Sequence, residues 1–260
     1  MLGRLMKYEW KATWKLLVPV NLLIVVMTFF ACVTVRMKVF ESGNDGIIFS
    51  AIMILMAYMA SMFAAMVGTA IYLIYRFYTS TYGDQGYLLH TLPVDKHHII
   101  LAKVIVSTGW LLCSSFLIYL SGLLLVAREG EIVSHVLDSM KEMVELVGSE
   151  NVTFFTIVMT AITYGVSMLA RVLKVMACIS LGQMSSNHKL LTAFGFYFAT
   201  YFVQQIINGI YYMFLGVINS RLDTWYYGSS WEFMLIFGLI YLVVFYLLTW
   251  YVMEKNLNLD

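Results

Sequence analysis

Charge is what this chain has least of. Of its 260 residues only 12% are Asp, Glu, Lys or Arg, about half the share found in a soluble globular domain. By contrast 61% are hydrophobic and 16% aromatic, and the mean hydropathy is +0.82. That balance excludes an ordinary water-soluble fold. Cysteine is scarce too: Cys32, Cys113 and Cys178 all sit in apolar sequence without paired spacing, which argues against a disulfide framework or a thiolate metal site. Proline occurs twice. Pro19 falls a turn into an apolar run, where a helix start or mild kink tolerates it, and Pro93 falls in a polar loop. A net charge of +1, with no basic patch interleaved with aromatics, leaves no footprint for nucleic acid.

Recognisable chemistry is missing as well. No G-x-x-x-x-G-K-S/T phosphate loop and no Gly-rich dinucleotide fingerprint occurs, so the chain is not expected to bind a nucleotide itself. Neither H-E-x-x-H nor a G-x-S-x-G elbow is present, and His97-His98 beside Lys96 has only Asp95 nearby, too little for a metal or catalytic site. The reading is of a chain that is not an enzyme, with no catalytic residue, metal or cofactor of its own. The apolar runs also lack acids at their centres, where proton- or sodium-coupled transporters usually keep a titratable group, although carbonyls of broken helices can serve some carriers. Energy for any uphill work is expected from outside the chain.

What is there is apolar length. Runs near 20 residues recur at 16–35, 47–75, 99–127, 152–184, 190–217 and 233–252, each long enough to cross a hydrocarbon core of roughly 30 Å as a helix. The expected fold is an all-α integral membrane protein: six transmembrane helices in one domain over 16–252, an amphipathic N-terminal interfacial helix over 1–15, and a tail at 253–260. With the N-terminus placed inside, 11 of the 16 basic residues face the cytoplasm and only Arg36, Lys38, Arg128, Lys141 and Arg221 lie outside, as the positive-inside rule requires. Both termini are then cytoplasmic. The first run reads as an anchor rather than a cleavable signal, because it is long and continues into Arg36.

The segments between and beside the spans carry further expectations. Leu2, Met6, Trp10 and Trp14 recur at i, i+4, with Arg4, Lys7, Lys11 and Lys15 on another face; they suit the headgroup layer, and equally a basic flank that only enforces topology. The second and fourth spans exceed the bilayer, which steep tilt or overshoot into the cytoplasm would explain; overshoot places Arg171 and Lys174 near or beyond the inner boundary. Residues 128–151 show helical periodicity in an acidic outer helix. The aromatic stretch 219–231 reads as belt residues or as a short re-entrant helix. Thr200, Gln204 and Asn208 on the fifth span are candidates for a substrate pathway, against interhelical hydrogen bonding. Ala60, Ala64 and Gly68 form a small-residue stripe suited to helix packing.

The loop 76–98 is too ornate for a plain connector. Its Tyr82-Gly83-Asp84-Gln85-Gly86-Tyr87-Leu88, then Thr91-Leu92-Pro93-Val94 and Lys103, resemble the Y-G-D-E-G-Y-L, T-L-P-V and following Lys of small permease subunits of type-2 ATP-binding cassette exporters from Gram-positive bacteria. Gly182-Gln183 and His188-Lys189 are similar to the same pattern. Gln85 departs from the usual Glu, which puts a salt bridge there in doubt, and His90 from a common aromatic. The resemblance implies a coupling helix over 83–93, seated in a groove of a separate ATPase subunit. Gly83, Asp84, Gln85, Gly86, Tyr87, Leu88, Leu89, Leu92 and Pro93 would form it, and His188 and Lys189 a second cytoplasmic contact. It also implies a second permease chain, identical or paralogous, ATP and Mg bound by the partner ATPase, contact with membrane lipid, and residence in a bacterial plasma membrane. The expected function is ATP-driven export of an amphipathic or hydrophobic substrate. An ATP-independent facilitator or channel, or a scaffold or sensor subunit driven by an ATPase, stands as the alternative.

Overall fold

A computed structural model of the chain describes residues 2–37, 44–83, 86, 95–126, 138, 154–185, 188–222 and 230–255. Among these residues there are six α-helices and no strand: α1 Leu2–Arg36, α2 Asp45–Thr81, α3 Lys96–Val126, α4 Phe154–Gly182, α5 Lys189–Leu222 and α6 Ser230–Lys255. All six are long and apolar enough to cross a membrane. Backbone polar groups have no water partner inside a bilayer, so each such segment must close its hydrogen bonds within itself. The result is an all-helical chain of multi-pass character.

Most of the helices run beyond the expected spans because helix formation continues past the apolar stretch, whereas α4, Phe154–Gly182, ends short of residue 184. The N-terminal segment is not a separate element: α1 runs unbroken for 35 residues through Pro19. Its packed seam is Thr13, Leu17, Asn21, Ile24, Thr28, Ala31 and Thr34, a three-and-four spacing that keeps one stripe on its neighbours. At the start of α2 the Asn44 side chain accepts from the Gly46 N–H at 3.1 Å and caps the first turn. The expected outer helix at 128–151 lies, apart from Asp138, outside the described residues, as do the 223–229 part of the aromatic stretch and the end of the tail from 256.

Packing divides the helices into two groups of three. In each group the first and third helices make the main contact, α1 with α3 and α4 with α6, while the middle helix sits outside against the first. The groups differ in one respect. α2 also packs on α3, whereas α5 leans on α4 and hardly touches α6. Contacts of α3 with α4 and α6 join the groups. The largest apolar core gathers Phe77, Tyr82, Ile100, Val104, Leu173, Met176 and Met253, at the end of the bundle where loop 83–95 emerges.

Polar side chains stitch helices through the apolar layer. Trp110 Nε1 donates to Thr13 Oγ1 at 2.8 Å, Ser114 Oγ to Asn21 Oδ1 at 2.9 Å, and Tyr58 pairs with Ser121 at 3.1 Å. Such bonds contribute roughly 0.6–2 kcal/mol each. The small-residue stripe on α2 behaves otherwise than expected. Ala60 and Ala64 are exposed and a Cβ on Gly68 would meet nothing within 4 Å. The face of α2 that packs within the chain is Tyr58, Ser61, Ala65 and Thr69; the Tyr58 phenol pairs with Ser121 and Ser61 Oγ donates to Tyr58 O, while the Thr69 hydroxyl is buried without a partner.

Candidate functional site

Three polar assemblies stand out, two at the loop end and one along the helices. The first is an ion cluster. Glu9 of α1 accepts from Lys103 Nζ at 2.8 Å and from Arg76 Nε at 3.2 Å, and Lys103 also donates to Ser80 Oγ. Trp10 stacks on Trp110 beside it, ring centroids 4.6 Å apart. The space it encloses is about 10 Å³, room for one water at most, so the cluster is a fastening of α1 to α2 and α3 rather than a ligand site.

The second assembly holds the two feet of the loop. Gly83 N–H donates to Tyr78 O at 3.2 Å, and Gly86 N–H to Gly83 O at 2.7 Å, so the chain turns sharply as α2 ends. Buried Tyr82 donates from its hydroxyl to Ser180 Oγ on α4 at 2.6 Å and meets Phe77 edge-on. Burial pushes its phenol up to about 12 against a smaller opposing effect of the Ser180 bond. At the other foot Lys96 Nζ donates to Met253 O at 2.8 Å, satisfying a carbonyl near the C-terminus of α6. His97 hydrogen-bonds Tyr246 at 2.7 Å and stacks on Trp250 with centroids 5.3 Å apart. One foot is therefore tied to α4 and the other to α6. Of the expected coupling residues, Gly83 and Gly86 belong to this turn; Asp84, Gln85, Tyr87, Leu88, Leu89, Leu92 and Pro93 lie outside the described residues.

His188 has φ 78°, a left-handed conformation uncommon for a residue with a side chain. Its carbonyl accepts from Thr192 N–H at 3.0 Å and from Thr192 Oγ1 at 3.1 Å, which starts α5 at Lys189. Gly182 permits this tight return: a Cβ there would stand 2.7 Å from both Ala193 Cβ and Lys189 O.

The third assembly is a cleft of about 240 Å³ with α4 as its floor and α5 and α6 as its walls, lined by Ser167, Ala170, Arg171, Tyr201, Gln204, Gln205, Asn208, Tyr212, Phe233, Met234, Phe237, Gly238 and Tyr241. α5 stands off from α6 along it but meets it at one point, where the Tyr211 ring stacks on Phe233 with centroids 3.4 Å apart. Gln204 and Asn208, expected on a substrate pathway, both line it. Thr200 does not: it is a turn nearer the Gly182 return, where α4 and α5 close together, and lies 3.9 Å from Cys178 Sγ. Lys174 Nζ donates to Gln204 Oε1 at 2.9 Å and sits 4.5 Å above the Tyr197 ring, a cation–π arrangement. Gln205 Nε2 donates to the Tyr201 hydroxyl at 2.8 Å.

Arg171 and Lys174 fall within α4, short of its C-terminal end. α4 ends at Gly182, so they stand about 16 and 12 Å from that end at 1.5 Å per residue. A Cβ on Gly238 of α6 would meet Val166 of α4 at 3.1 Å, and these two helices run the same way. Five residues on, Arg171 is level with about Val243, in the middle of the apolar run 233–252. A basic side chain at the middle of a membrane-crossing helix costs about 2.5–3.5 kcal/mol unless its surroundings answer it. The lining contains no Asp or Glu among the described residues, and the Tyr241 hydroxyl in the wall is buried without a hydrogen-bond partner.

Sequence reasoning missed the fastening of Glu9, the roles of Tyr82, Lys96 and His97 as pins, and the place of Arg171 in the cleft. Among the described residues no group of three or more His, Cys, Asp or Glu is arranged to hold a metal. No family model, curated protein or solved structure matches this chain.

Proposed function

We propose that this chain is the permease subunit of a bacterial type-2 ATP-binding cassette exporter, forming half of the translocation pathway and coupling ATP hydrolysis by a separate subunit to export of an amphipathic or hydrophobic substrate. The observation that carries the reading is the attachment of the loop. Tyr82 ties its start to α4 and Lys96 and His97 tie its end to α6, and these two helices form the floor and one wall of the cleft. A push on residues 83–95 is thereby delivered to α4 and α6 together. α5, held mainly to α4, is left to follow or lag, and the width of the cleft changes with it.

In this reading Tyr87, Leu88, Leu89 and Leu92 seat in the ATPase subunit, ATP and Mg belong to that partner, and His188 and Lys189 give a second contact. Both termini face the cytoplasm of a bacterial plasma membrane. A second permease chain completes the pathway. Support for it comes from α5, with Phe194, Phe198, Phe202 and Met213 exposed, and α2, with Phe49, Met53, Met59 and Phe63 exposed, together with the unpacked Ala60, Ala64 and Gly68 stripe. The test is affinity isolation of the tagged chain in mild detergent from its native host, with mass spectrometry and an ATPase assay of the eluate. A stoichiometric nucleotide-binding subunit is expected, lost on changing Leu88→Asp and Leu92→Asp. Isolation of the chain alone, in conditions that keep a known exporter intact, would favour an ATP-independent facilitator.

A further inference from the structure

We infer that the cleft between α4, α5 and α6 binds the anionic headgroup of an amphiphile, with Arg171 as its principal charge partner. Arg171 presents a guanidinium, a planar fork of donors suited to phosphate and carboxylate oxygens. It stands about 16 Å from the nearer end of its helix and is exposed to the cleft. Lys174 lies one turn away and is spent on Gln204. Arg171 is the one charged side chain of the described lining, with no acid beside it, and an ionisable residue held within a membrane-crossing helix marks a ligand or substrate path by default. The counter-charge has to arrive with the occupant.

Neutral hydrogen-bonding groups surround that cation. Gln205, Asn208 and Tyr201 line the same wall, and the Tyr241 hydroxyl is buried without a partner. A phosphate or carboxylate offers several acceptor oxygens to one guanidinium fork and to such donors. The remainder of the lining, Phe233, Met234, Phe237 and Tyr212, is apolar or aromatic and suits the hydrocarbon next to a headgroup. A volume of about 240 Å³ is below that of a typical drug-sized site. It accommodates a headgroup, with the tail lying along the bare surfaces of α5 and α6.

Binding by the cleft does not depend on the export reading; that its occupant is also the cargo does. The experiment is native mass spectrometry of the purified full chain offered dioleoyl phosphatidylglycerol or dioleoyl phosphatidylcholine, which share tails and differ in headgroup charge, with millimolar inorganic phosphate as a third arm. Phosphatidylglycerol is expected to be retained about tenfold better, equivalent to about 1.4 kcal/mol, with parity in Arg171→Gln and the preference kept in Arg171→Lys. Gel filtration and thermal midpoints confirm that each variant is folded. Equal retention of the two lipids, or an unchanged preference in Arg171→Gln, would overturn the inference. Displacement of lipid by phosphate alone would overturn the amphiphile in favour of a small soluble anion. A chain that keeps the preference yet recovers no ATPase leaves the cleft assignment standing and removes the export reading; recovery of the ATPase without the preference does the reverse.

Discussion

Changing Glu9→Gln should weaken the fold more than removing either base that Glu9 serves. Glu9 is the single acid between Lys103, 5% exposed at its side chain, and Arg76, 23% exposed. Glutamine keeps the volume and one acceptor oxygen, so the substitution isolates charge: one acid between two bases becomes two bases facing each other. Leaving a buried ion without its partner costs about 3–5 kcal/mol. Because Glu9 itself is 18% exposed, water screens part of the loss, and roughly 2–3 kcal/mol is the expectation. Lys103→Met replaces a long stem by one of similar shape and leaves Glu9 paired with Arg76, so its effect should stay within about 1.5 kcal/mol. In thermal denaturation of the detergent-solubilised chain, Glu9→Gln should lower the midpoint by roughly 4–12 °C, at 2–4 °C per kcal/mol for a chain of comparable size. A Lys103→Met midpoint equal to or below that of Glu9→Gln would show that hydrogen bonding rather than charge balance holds the cluster, and would refute the reasoning.

Two further outcomes follow from the loop end. Tyr82→Phe should lose about 1 kcal/mol at neutral pH, and a double-mutant cycle with Ser180→Ala should assign most of it to that one bond. Because the folded phenol is pushed up to about 12 against about 10 in an unfolded chain, the unfolded state releases the proton first. Stability from this group is fully present below pH 10 and is lost as pH rises toward 12, at roughly 1.4 kcal/mol per unit; Tyr82→Phe should lack this increment of alkaline loss when midpoints at pH 9 and pH 11 are compared. Gly182→Ala should force the α4–α5 return open, since its Cβ would lie 2.7 Å from backbone and side chain alike. The expected loss is about 1–3 kcal/mol, read as earlier release of α5 in hydrogen exchange, and unchanged α5 protection would contradict the close approach.

The six helices were legible because a bilayer leaves an apolar stretch of this length little alternative to a helix, and the stretches are separated by polar segments. Their ends were not, since helix continues past the apolar run at residues 2–15 of α1 and at Ser80 and Thr81 of α2. Gln204 and Asn208 were found from amide spacing alone, and both line the cleft. Thr200, on the same face one turn below, does not line it and lies against Cys178 instead, a difference that spacing along one helix does not reveal. That Arg171 stands level with Val243 was not legible, because it depends on the register of α4 against α6, set by Gly238 meeting Val166. Glu9 finds its partners 67 and 94 positions away, a separation that periodicity cannot bridge. His97 was weighed as a ligand and set aside; its stacking on Trp250 required knowing that α3 begins where α6 ends.

The skip-one packing of the two groups also constrains how the chain is made. When α2 has left the ribosome, α1 still lacks its main partner, because α3 has yet to be synthesised; α4 waits in the same way for α6 through the whole of α5. Each half therefore closes on the arrival of its third helix, after its second has already been placed in lipid. Membrane helices inserted singly and associated afterwards can tolerate such a delay. Quality control would meet two vulnerable intermediates, one ending after α2 and one after α5, and the second exposes the cation of Arg171 to lipid before the α6 wall exists to shelter it.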